Sequence, residues 1–356
     1  MPNRIPHVQE RLAQIEADAL LLTSLPNIRW ACGFTGSNGL LIVGPDAAHF
    51  VTDGRYTDQA HDEVQGAQVT IAEEGLTECI GRQDLLRSYS RVAFQADDLS
   101  VARRDALAEE HESIEWVPET KLLTHFIASK TRSEVKKICA AQRITESVFD
   151  EIVDLIEPGM TEREVGAEIV YRHLKKGADS MAFDPIVASG PNGARPHARP
   201  TDRTLREEEL IVLDMGCFCD GYASDMTRTL ALGEPSPEAR RGYEAVLDAQ
   251  IAALDAAKAG MMSNDLDEVA RAVLRAANLE DYFSHGLGHG LGLEVHEWPR
   301  VSHTSEEELP DGACVTIEPG VYDPENGFGV RIEDIVVLRT DGHENLTETP
   351  KELLIL

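Results

Sequence analysis

The stretch SHGLGHGLGLEVHEWPR, residues 284–300, decides the organisation of this chain because it concentrates histidines in a glycine-rich segment. His285, His289 and His296 lie within twelve consecutive positions, with glycines threaded between them. Glycine lets the backbone approach a site closely and adopt positive φ values. The apolar residues between the glycines would hold the loop against a core. The alternative is a glycine-rich turn that carries its histidines by coincidence.

The segment ELIVLDMGCFCDGYASDMTRTLAL, residues 209–232, predicts a β-hairpin with its turn near Cys219–Gly221. Asp214 and Asp225 are nearly symmetric about that turn, so we expect them to face each other at a Cβ–Cβ distance of about 5 Å. Facing carboxylates inside a buried sheet repel each other and lose solvation. Such a pair needs a cation or a shared proton.

The segment ACVTIEPGVYDPENGFGVRIEDIVVL, residues 313–338, predicts a second hairpin of the same design. Its turn is PENG, residues 324–327, and Glu318 and Glu333 are symmetric about it. One acidic pair could arise by chance in a chain with 63 acidic residues. Two pairs, each on apolar strands and each centred on its turn, favour a shared function.

The two acidic pairs and one loop histidine form a set of metal ligands. Four carboxylates and an imidazole suit a pair of divalent ions, with Mn²⁺ or Co²⁺ favoured and Zn²⁺ as a further choice. Such ions lie roughly 3.5–4 Å apart and activate a shared water. The remaining histidines could bind substrate. His197, in RPHARP, is a further candidate for binding substrate. The alternative is that it is simply an exposed histidine in a proline-rich loop.

Composition excludes several classes of partner. The formal net charge is -30, which argues against nucleic acid and anionic membrane surfaces. No apolar run approaches the roughly 18 residues that span a bilayer, and the N-terminal segment has no apolar signal region. The six cysteines show no framework spacing, so we expect a reduced, cytoplasmic protein. Cys217 and Cys219 are interpreted as a strand-end pair in preference to metal ligands.

The order of predicted elements divides the chain into two domains. Strands and helices alternate up to about residue 119, which predicts an α/β domain over residues 1–126. The second domain, residues 127–356, contains four predicted helices around the two hairpins. These helices cover about 134–157, 161–176, 237–258 and 263–277, and the second begins with a capping box, Thr161 and Glu164.

The motifs LDMG with SDMTRT, HGLGHGLGLEVHE, TIEPGVY and GVRIED resemble those of the pita-bread metallopeptidases. The resemblance is to the proline-specific branch, the Xaa-Pro dipeptidases (prolidases) and Xaa-Pro aminopeptidases, and it covers essentially all of residues 127–356. GFTGSNG and VTDGRYTDQA resemble the N-terminal domain of Xaa-Pro aminopeptidases. The implied architecture is a creatinase-like α/β N-terminal domain followed by an α+β pita-bread catalytic domain.

The resemblance also implies a role for individual residues. It places two metal ions on five ligands, with Asp225 and Glu333 shared between the ions. The implied ligands are Asp214, Asp225, His289, Glu318 and Glu333. Glu318 would also orient the nucleophile and shuttle its proton, and His296 would stabilise the oxyanion. The implied substrate-pocket residues are His197, which is also a catalytic candidate, and His285, while Tyr322 and Arg331 would support the metals and the pocket.

The function that the resemblance implies is hydrolysis of the Xaa-Pro imide bond by a metal-bridging hydroxide, in a homodimer that acts on short proline-containing peptides. Arg300, in HEWPR, would bind the C-terminal carboxylate of a dipeptide, which favours a dipeptidase. The N-terminal motifs favour the alternative, an aminopeptidase P that cleaves longer peptides. A non-catalytic pita-bread binding protein and a metal-free creatinase-type amidinohydrolase are the remaining alternatives.

Overall fold

The structure, a computed structural model, describes residues 3–356; Met1 and Pro2, the start of the segment read for a signal peptide, lie outside it. Contacts divide the chain into two compact units on either side of the bond between Ile127 and Ala128. Among the described residues, no helix has the length and apolar character needed to cross a membrane.

The first unit is built on one mixed β-sheet. Its strands are β1 (Ala19–Leu22), β2 (Leu40–Val43), β3 (Ala48–Asp53), β4 (Gln68–Ala72), β5 (Arg91–Gln95) and β6 (Glu115–Glu119). Its helices are α1 (Ile5–Leu12), α2 (Leu25–Cys32), α3 (Thr57–Glu63), α4 (Leu76–Arg82) and α5 (Val101–Glu110). The strand order is β4-β3-β2-β1-β5-β6, with parallel pairs at both ends and an antiparallel meander in the middle. The α/β expectation for this half is confirmed.

The second unit repeats a pair of helices followed by a hairpin. Helix α6 (Thr124–Ala128) spans the boundary between the units, and the helices of the second unit are α7 (Arg132–Val153), α8 (Glu162–Lys175), α9 (Pro237–Ala256) and α10 (Ser263–Ala276). The strands of the first half are β7 (Ser180–Met181), β8 (Ile186–Ser189), β9 (Glu209–Met215), β10 (Cys217–Cys219), β11 (Tyr222–Ala223) and β12 (Met226–Leu232). The strands of the second half are β13 (Gly288–Gly290), β14 (Glu297–Val301), β15 (Cys314–Ile317), β16 (Gly320–Asp323), β17 (Phe328–Arg331), β18 (Asp334–Arg339) and β19 (Gly342–Asn345).

Each pair of helices buries its apolar face against one of the sheets. Side chains of α7 and α8 share a core with β8, β9 and β12, and Ile152, Ile169 and Leu213 are fully buried there. Side chains of α9 and α10 share a second core with β15, β17 and β18, around Val246 and Leu274. The two cores hold the strands that carry or flank the acidic residues of both hairpins in fixed positions, because close-packed interiors resist displacement.

The first hairpin differs from its prediction by one residue at the turn. Asp220 and Gly221 both have positive φ, 50° and 73°, as a type I′ turn requires. The register therefore pairs Asp214 with Thr227. The prediction that Asp214 directly faces Asp225 is wrong, because a one-residue shift of the turn moves the partner by two positions. Asp225 lies just before β12, diagonal to Asp214.

The second hairpin keeps the predicted symmetry, but its ladder is interrupted at the two acids. Gly320 pairs with Arg331 on one side of the interruption, and Ile317 pairs with Asp334 on the other, in one continuous register. Between them, the Glu318 N–H donates to the Leu287 carbonyl (2.8 Å) and the Glu333 N–H donates to the Thr227 carbonyl (3.1 Å). The backbone of each acid is thus bonded to a different strand or loop, which opens the sheet at this point.

Replacing Thr161 with alanine is expected to destabilise the second unit by about 1 kcal/mol. The Thr161 hydroxyl accepts the Glu164 N–H (3.1 Å), and the Glu164 carboxylate accepts the Thr161 N–H (2.7 Å), so both bonds start α8. Urea denaturation followed by far-UV circular dichroism measures the loss. Thr161→Ser keeps the hydroxyl and should retain most of the stability; equal losses in the two variants would contradict a capping role.

Candidate metal centre

Five side chains predicted as ligands line one cavity of about 610 Å³ in the second unit. Ligand atoms of Asp225, His289 and Glu333 all lie within 4.8 Å of one another. The His289 Nε2 atom is 3.7 Å from Asp225 Oδ2 and 3.4 Å from Glu318 Oε1. Asp214 lines the same cavity. Residues from two hairpins and the glycine-rich loop thus converge on one place.

The backbone of β13 orients the His289 ring so that one ring nitrogen faces the carboxylates. Its Nδ1 lies 3.0 Å from the Gly290 carbonyl and donates to it, which leaves Nε2 as an acceptor directed at the carboxylates. Burial lowers the pKa of His289, so the ring is neutral, the form that binds metals. Gly288 permits this arrangement, because a Cβ there would lie 2.0 Å from the Thr316 carbonyl oxygen on β15.

The acids of the cavity are electrostatically strained in the absence of a cation. Burial raises the pKa of Asp225 well above its usual value, and the neighbouring Glu333 carboxylate raises it further. The pKa of Glu333 is raised in the same way, by burial and then by Glu318. Burial raises the pKa of Glu318 to about 7. Bound protons or cations must compensate this charge.

A hydrogen-bond network holds one oxygen of each of two carboxylates. Arg331 donates to Asp214 Oδ2 (2.5 Å) and to the Thr227 hydroxyl (3.0 Å), and that hydroxyl donates to Glu333 Oε2 (2.7 Å). The other oxygens, Asp214 Oδ1 and Glu333 Oε1, are buried without a hydrogen-bond partner. Buried oxygens without partners, beside a neutral imidazole nitrogen, fit divalent cations that prefer oxygen ligands.

A second chain of hydrogen bonds runs from Arg331 through Tyr322 to His285. The Tyr322 hydroxyl accepts from Arg331 (2.8 Å) and donates to His285 Nε2 (2.8 Å), while His285 Nδ1 donates to the Gly286 carbonyl (2.8 Å). Burial lowers the pKa of His285 to about 3 and raises that of Tyr322 to about 12. Both groups are therefore neutral, and both His285 nitrogens are occupied, so its ring borders the cavity without a free donor.

The walls of the cavity hold nearly all of the predicted substrate residues. His296 is exposed, and its ring packs edge-on against His289 with a centroid distance of 4.3 Å. His197 and Arg300 are exposed and line the same cavity. As far as the described residues show, Tyr322 does not line the cavity. It is connected to the site by its hydrogen bonds with Arg331 and His285. The apolar part of the wall includes Phe183, Ile186, Pro196 and Val295.

Sequence reasoning missed the two threonines that donate hydrogen bonds to the proposed glutamate ligands. Thr227 stands two residues after Asp225, and Thr316 donates to Glu318 Oε1 from two residues before it (3.1 Å). The two-residue repeat of a strand was the signal that could have identified both. Phe183 and Ile186 carried no such signal. Cys217 and Cys219 lie on β10, outside the cavity lining.

Comparison with known proteins agrees with this geometry. Residues 136–340 match the model of metallopeptidase family M24, and residues 4–126 match the creatinase/prolidase N-terminal domain. The uncharacterized peptidase YqhT of Bacillus subtilis (strain 168) is 37% identical over 355 residues, covering 99% of this chain and 100% of that protein.

Two solved structures are similar over nearly the whole chain. An Xaa-Pro dipeptidase from Bacillus anthracis has a TM-score of 0.96 at 34% identity and covers 99% of both chains. An X-Pro aminopeptidase from Thermotoga maritima MSB8 has a TM-score of 0.90 at 33% identity, covering 98% of this chain and 100% of that one. The predicted pairing of a creatinase-like domain with a pita-bread catalytic domain is confirmed. This chain belongs to metallopeptidase family M24.

Proposed function

We propose that this protein is an Xaa-Pro dipeptidase with two divalent ions, Mn²⁺ first among them, and that residues 1–126 and 127–356 are its two domains. The observation that carries the proposal is the convergence of three buried carboxylates, the partly buried Glu318 and a neutral imidazole in one cavity. Relatives that are similar over the whole length and are named as Xaa-Pro dipeptidases support it. The homodimer remains a prediction from the resemblance, and the cytoplasmic location remains a prediction from the cysteine pattern and the N-terminal segment.

The proposed ligands divide into groups that the protein already restrains and groups that are free to bind. Arg331 and Thr227 occupy one oxygen of Asp214 and of Glu333, so the second oxygen of each is left for a cation. The oxygen-rich set favours Mn²⁺, with Co²⁺ and Zn²⁺ as alternatives. When bound, two such cations would activate a water molecule for attack on the scissile carbonyl at neutral pH.

The chain's own groups supply proton transfer and stabilisation of charge. Glu318, with a pKa of about 7, is suited to accept a proton from the attacking water and to deliver it to the proline nitrogen. Partial loss of solvation lowers the pKa of His296, so its ring is neutral and can donate a hydrogen bond to the developing oxyanion. His197 lines the same cavity and could hold the substrate carbonyl from another side.

The walls of the cavity fit a short peptide that contains proline. The imide nitrogen before proline carries no N–H, so a site for it needs no backbone acceptor at that position. Phe183, Ile186, Pro196 and Val295 offer apolar surface for a pyrrolidine ring. Arg300 is exposed at the same cavity and could pair with a free C-terminal carboxylate. An aminopeptidase P that cleaves longer peptides is the second candidate, supported by the similarity to the Thermotoga maritima structure.

Replacing Arg300 with alanine is expected to raise KM for Xaa-Pro dipeptides by about tenfold to a hundredfold, because a charge-assisted hydrogen bond contributes about 1.5–3 kcal/mol. KM for Xaa-Pro-Yaa tripeptides should change little, since their carboxylate lies one residue further on. Steady-state kinetics on both series measures the difference.

Arg300→Lys is the matched control for that experiment, since it keeps the charge without the bidentate geometry and should lose less. Wild-type turnover of tripeptides that exceeds turnover of dipeptides would favour the aminopeptidase. No turnover of either series in the presence of Mn²⁺ would refute both candidates.

Replacing Asp225 with asparagine is expected to reduce kcat/KM by more than about a hundredfold, because the substitution removes the charge of a proposed metal ligand. Thr227→Val is the comparison. It removes the hydrogen bond that Thr227 donates to Glu333 and the one that it accepts from Arg331, and a change of this kind typically lowers metal affinity by about 10–100-fold. Metal content by elemental analysis and activity with Mn²⁺ measure both effects. Wild-type activity in a folded Asp225→Asn protein would show that the ligand assignment is wrong.

The metal-free protein is expected to lose stability as pH rises from about 5 to above 7. Raised pKa values mean that the folded chain keeps protons on Asp225, Glu318 and Glu333 that the unfolded chain releases above roughly pH 4.3. The folded state then binds more protons, so the free energy of unfolding falls with pH. Mn²⁺ should reverse the loss, because the cation replaces the protons. Calorimetry in EDTA across this range measures it; stability that rises with pH would contradict the charge repulsion.

A further inference from the structure

A buried ion pair beside the cavity has no part in the mechanism proposed above. Lys130 Nζ donates to Glu297 Oε2 at 2.5 Å, and the two side chains are only 2% and 6% exposed. Glu297 directly follows His296 in the chain and lines the cavity. A buried pair of this kind is weak evidence for stability, because the loss of solvation offsets the attraction between the charges. The pair is more informative for its effect on the conformation of the neighbouring loop.

The second carboxylate oxygen of Glu297 accepts hydrogen bonds from the backbone of the loop that carries His296. Glu297 Oε1 accepts the N–H groups of Leu293 (2.7 Å) and Glu294 (3.1 Å). The Gly292 N–H donates to the Glu294 carbonyl within the same loop (2.9 Å). Each carboxylate oxygen therefore has a donor, and the loop of residues 292–297 is folded around one side chain.

Gly292 shows how closely the ion pair packs against this loop. A Cβ at Gly292 would lie 2.7 Å from Lys130 Cε and 2.8 Å from Glu297 Oε2, so the pair fills the space that a side chain would need. The Gly292 carbonyl accepts the N–H of Ala223 (2.8 Å), two residues before Asp225. The loop is thereby bonded to the first hairpin near a proposed metal ligand.

Lys130 is itself held in place by its own segment. Its N–H donates to the Gly312 carbonyl (2.8 Å), and α7 begins two residues later. Glu134, in the first turn of α7, accepts from the Tyr222 hydroxyl (2.8 Å) on the first hairpin. Residues 130–134 therefore contact both the loop of His296 and the hairpin of Asp225, although they lie far from both in sequence.

We propose that the pair of Lys130 and Glu297 is a positioning device that fixes the loop of residues 292–297 and so sets His296 over the metal centre. Neither side chain touches the reacting atoms; both act through His296. The catalytic part of this inference rests on the proposed function. The geometric part, that the pair orders the loop, stands without it, because it concerns only the hydrogen bonds of Leu293 and Glu294.

The test compares Lys130→Met with the wild type in kinetics, metal content and hydrogen exchange. We expect kcat for an Xaa-Pro dipeptide to fall by about tenfold or more, since a displacement of about 1 Å can cost a hundredfold. KM and Mn²⁺ content should stay within about twofold. Amide exchange at Leu293 and Glu294 should accelerate by about tenfold or more, while Leu291, which donates to the Cys314 carbonyl, should be unchanged.

Three further variants separate positioning from general damage. Lys130→Arg keeps a charged donor and should restore most of kcat. The double variant Lys130→Met with Glu297→Gln leaves no unpaired charge, so it should fold with near wild-type stability and still show low kcat and fast exchange. Arg203→Met removes another partly buried ion pair of this unit, to Glu209, and should lower stability without changing kcat.

Each contrary result has a distinct meaning. Unchanged kcat and unchanged exchange in a destabilised Lys130→Met protein would overturn the proposal, since the pair would then be structural only. Loss of Mn²⁺ in parallel with kcat would also overturn it, because the pair would act on the ligands. If the wild type cleaves no Xaa-Pro peptide, the proposed function fails, and the exchange of Leu293 and Glu294 then decides the positioning role by itself.

Discussion

Mutual repulsion of buried carboxylates is the constraint on which this structure depends. Asp225, Glu318 and Glu333 lie in a region where loss of solvation raises the pKa of each one, and each feels the charge of its neighbours. Placing such carboxylates together destabilises the folded state unless a positive charge binds between them. The rest of the second unit is arranged to keep them there, and a divalent cation is the partner that satisfies their chemistry.

The second unit holds these carboxylates together by core packing and by hydrogen bonds. Two cores, each made by a pair of helices on a sheet, hold the hairpins rigidly. Arg331 then donates to Asp214 and to Thr227, and Thr227 donates to Glu333, so one oxygen of each acid is committed to the protein. The other oxygens of these two acids, Asp214 Oδ1 and Glu333 Oε1, have no hydrogen-bond partner in the protein. This is the arrangement expected of a site whose outer groups orient its ligands.

The one error of register has a clear physical origin. Centring the first turn on Cys219–Gly221 placed Asp214 opposite Asp225, whereas Asp-Gly is the pair that best tolerates two consecutive positive φ values. A turn at Asp220 and Gly221 pairs Asp214 with Thr227, as observed. The convergence of the acids survived this error because the diagonal neighbour on a strand still lies on the same face. Strand alternation was thus more informative than the exact position of the turn.

The sequence by itself determined the α/β first half, the helices around two acidic hairpins, and the histidine-rich loop, because these depend on local periodicity, capping and turn residues. It also determined which residue types could meet a metal. Only the tertiary structure decided that the ladder opens between Glu318 and Glu333, and that Lys130 meets Glu297. Those contacts join segments remote in sequence, and no local pattern encodes them, because they form only when the chain has folded.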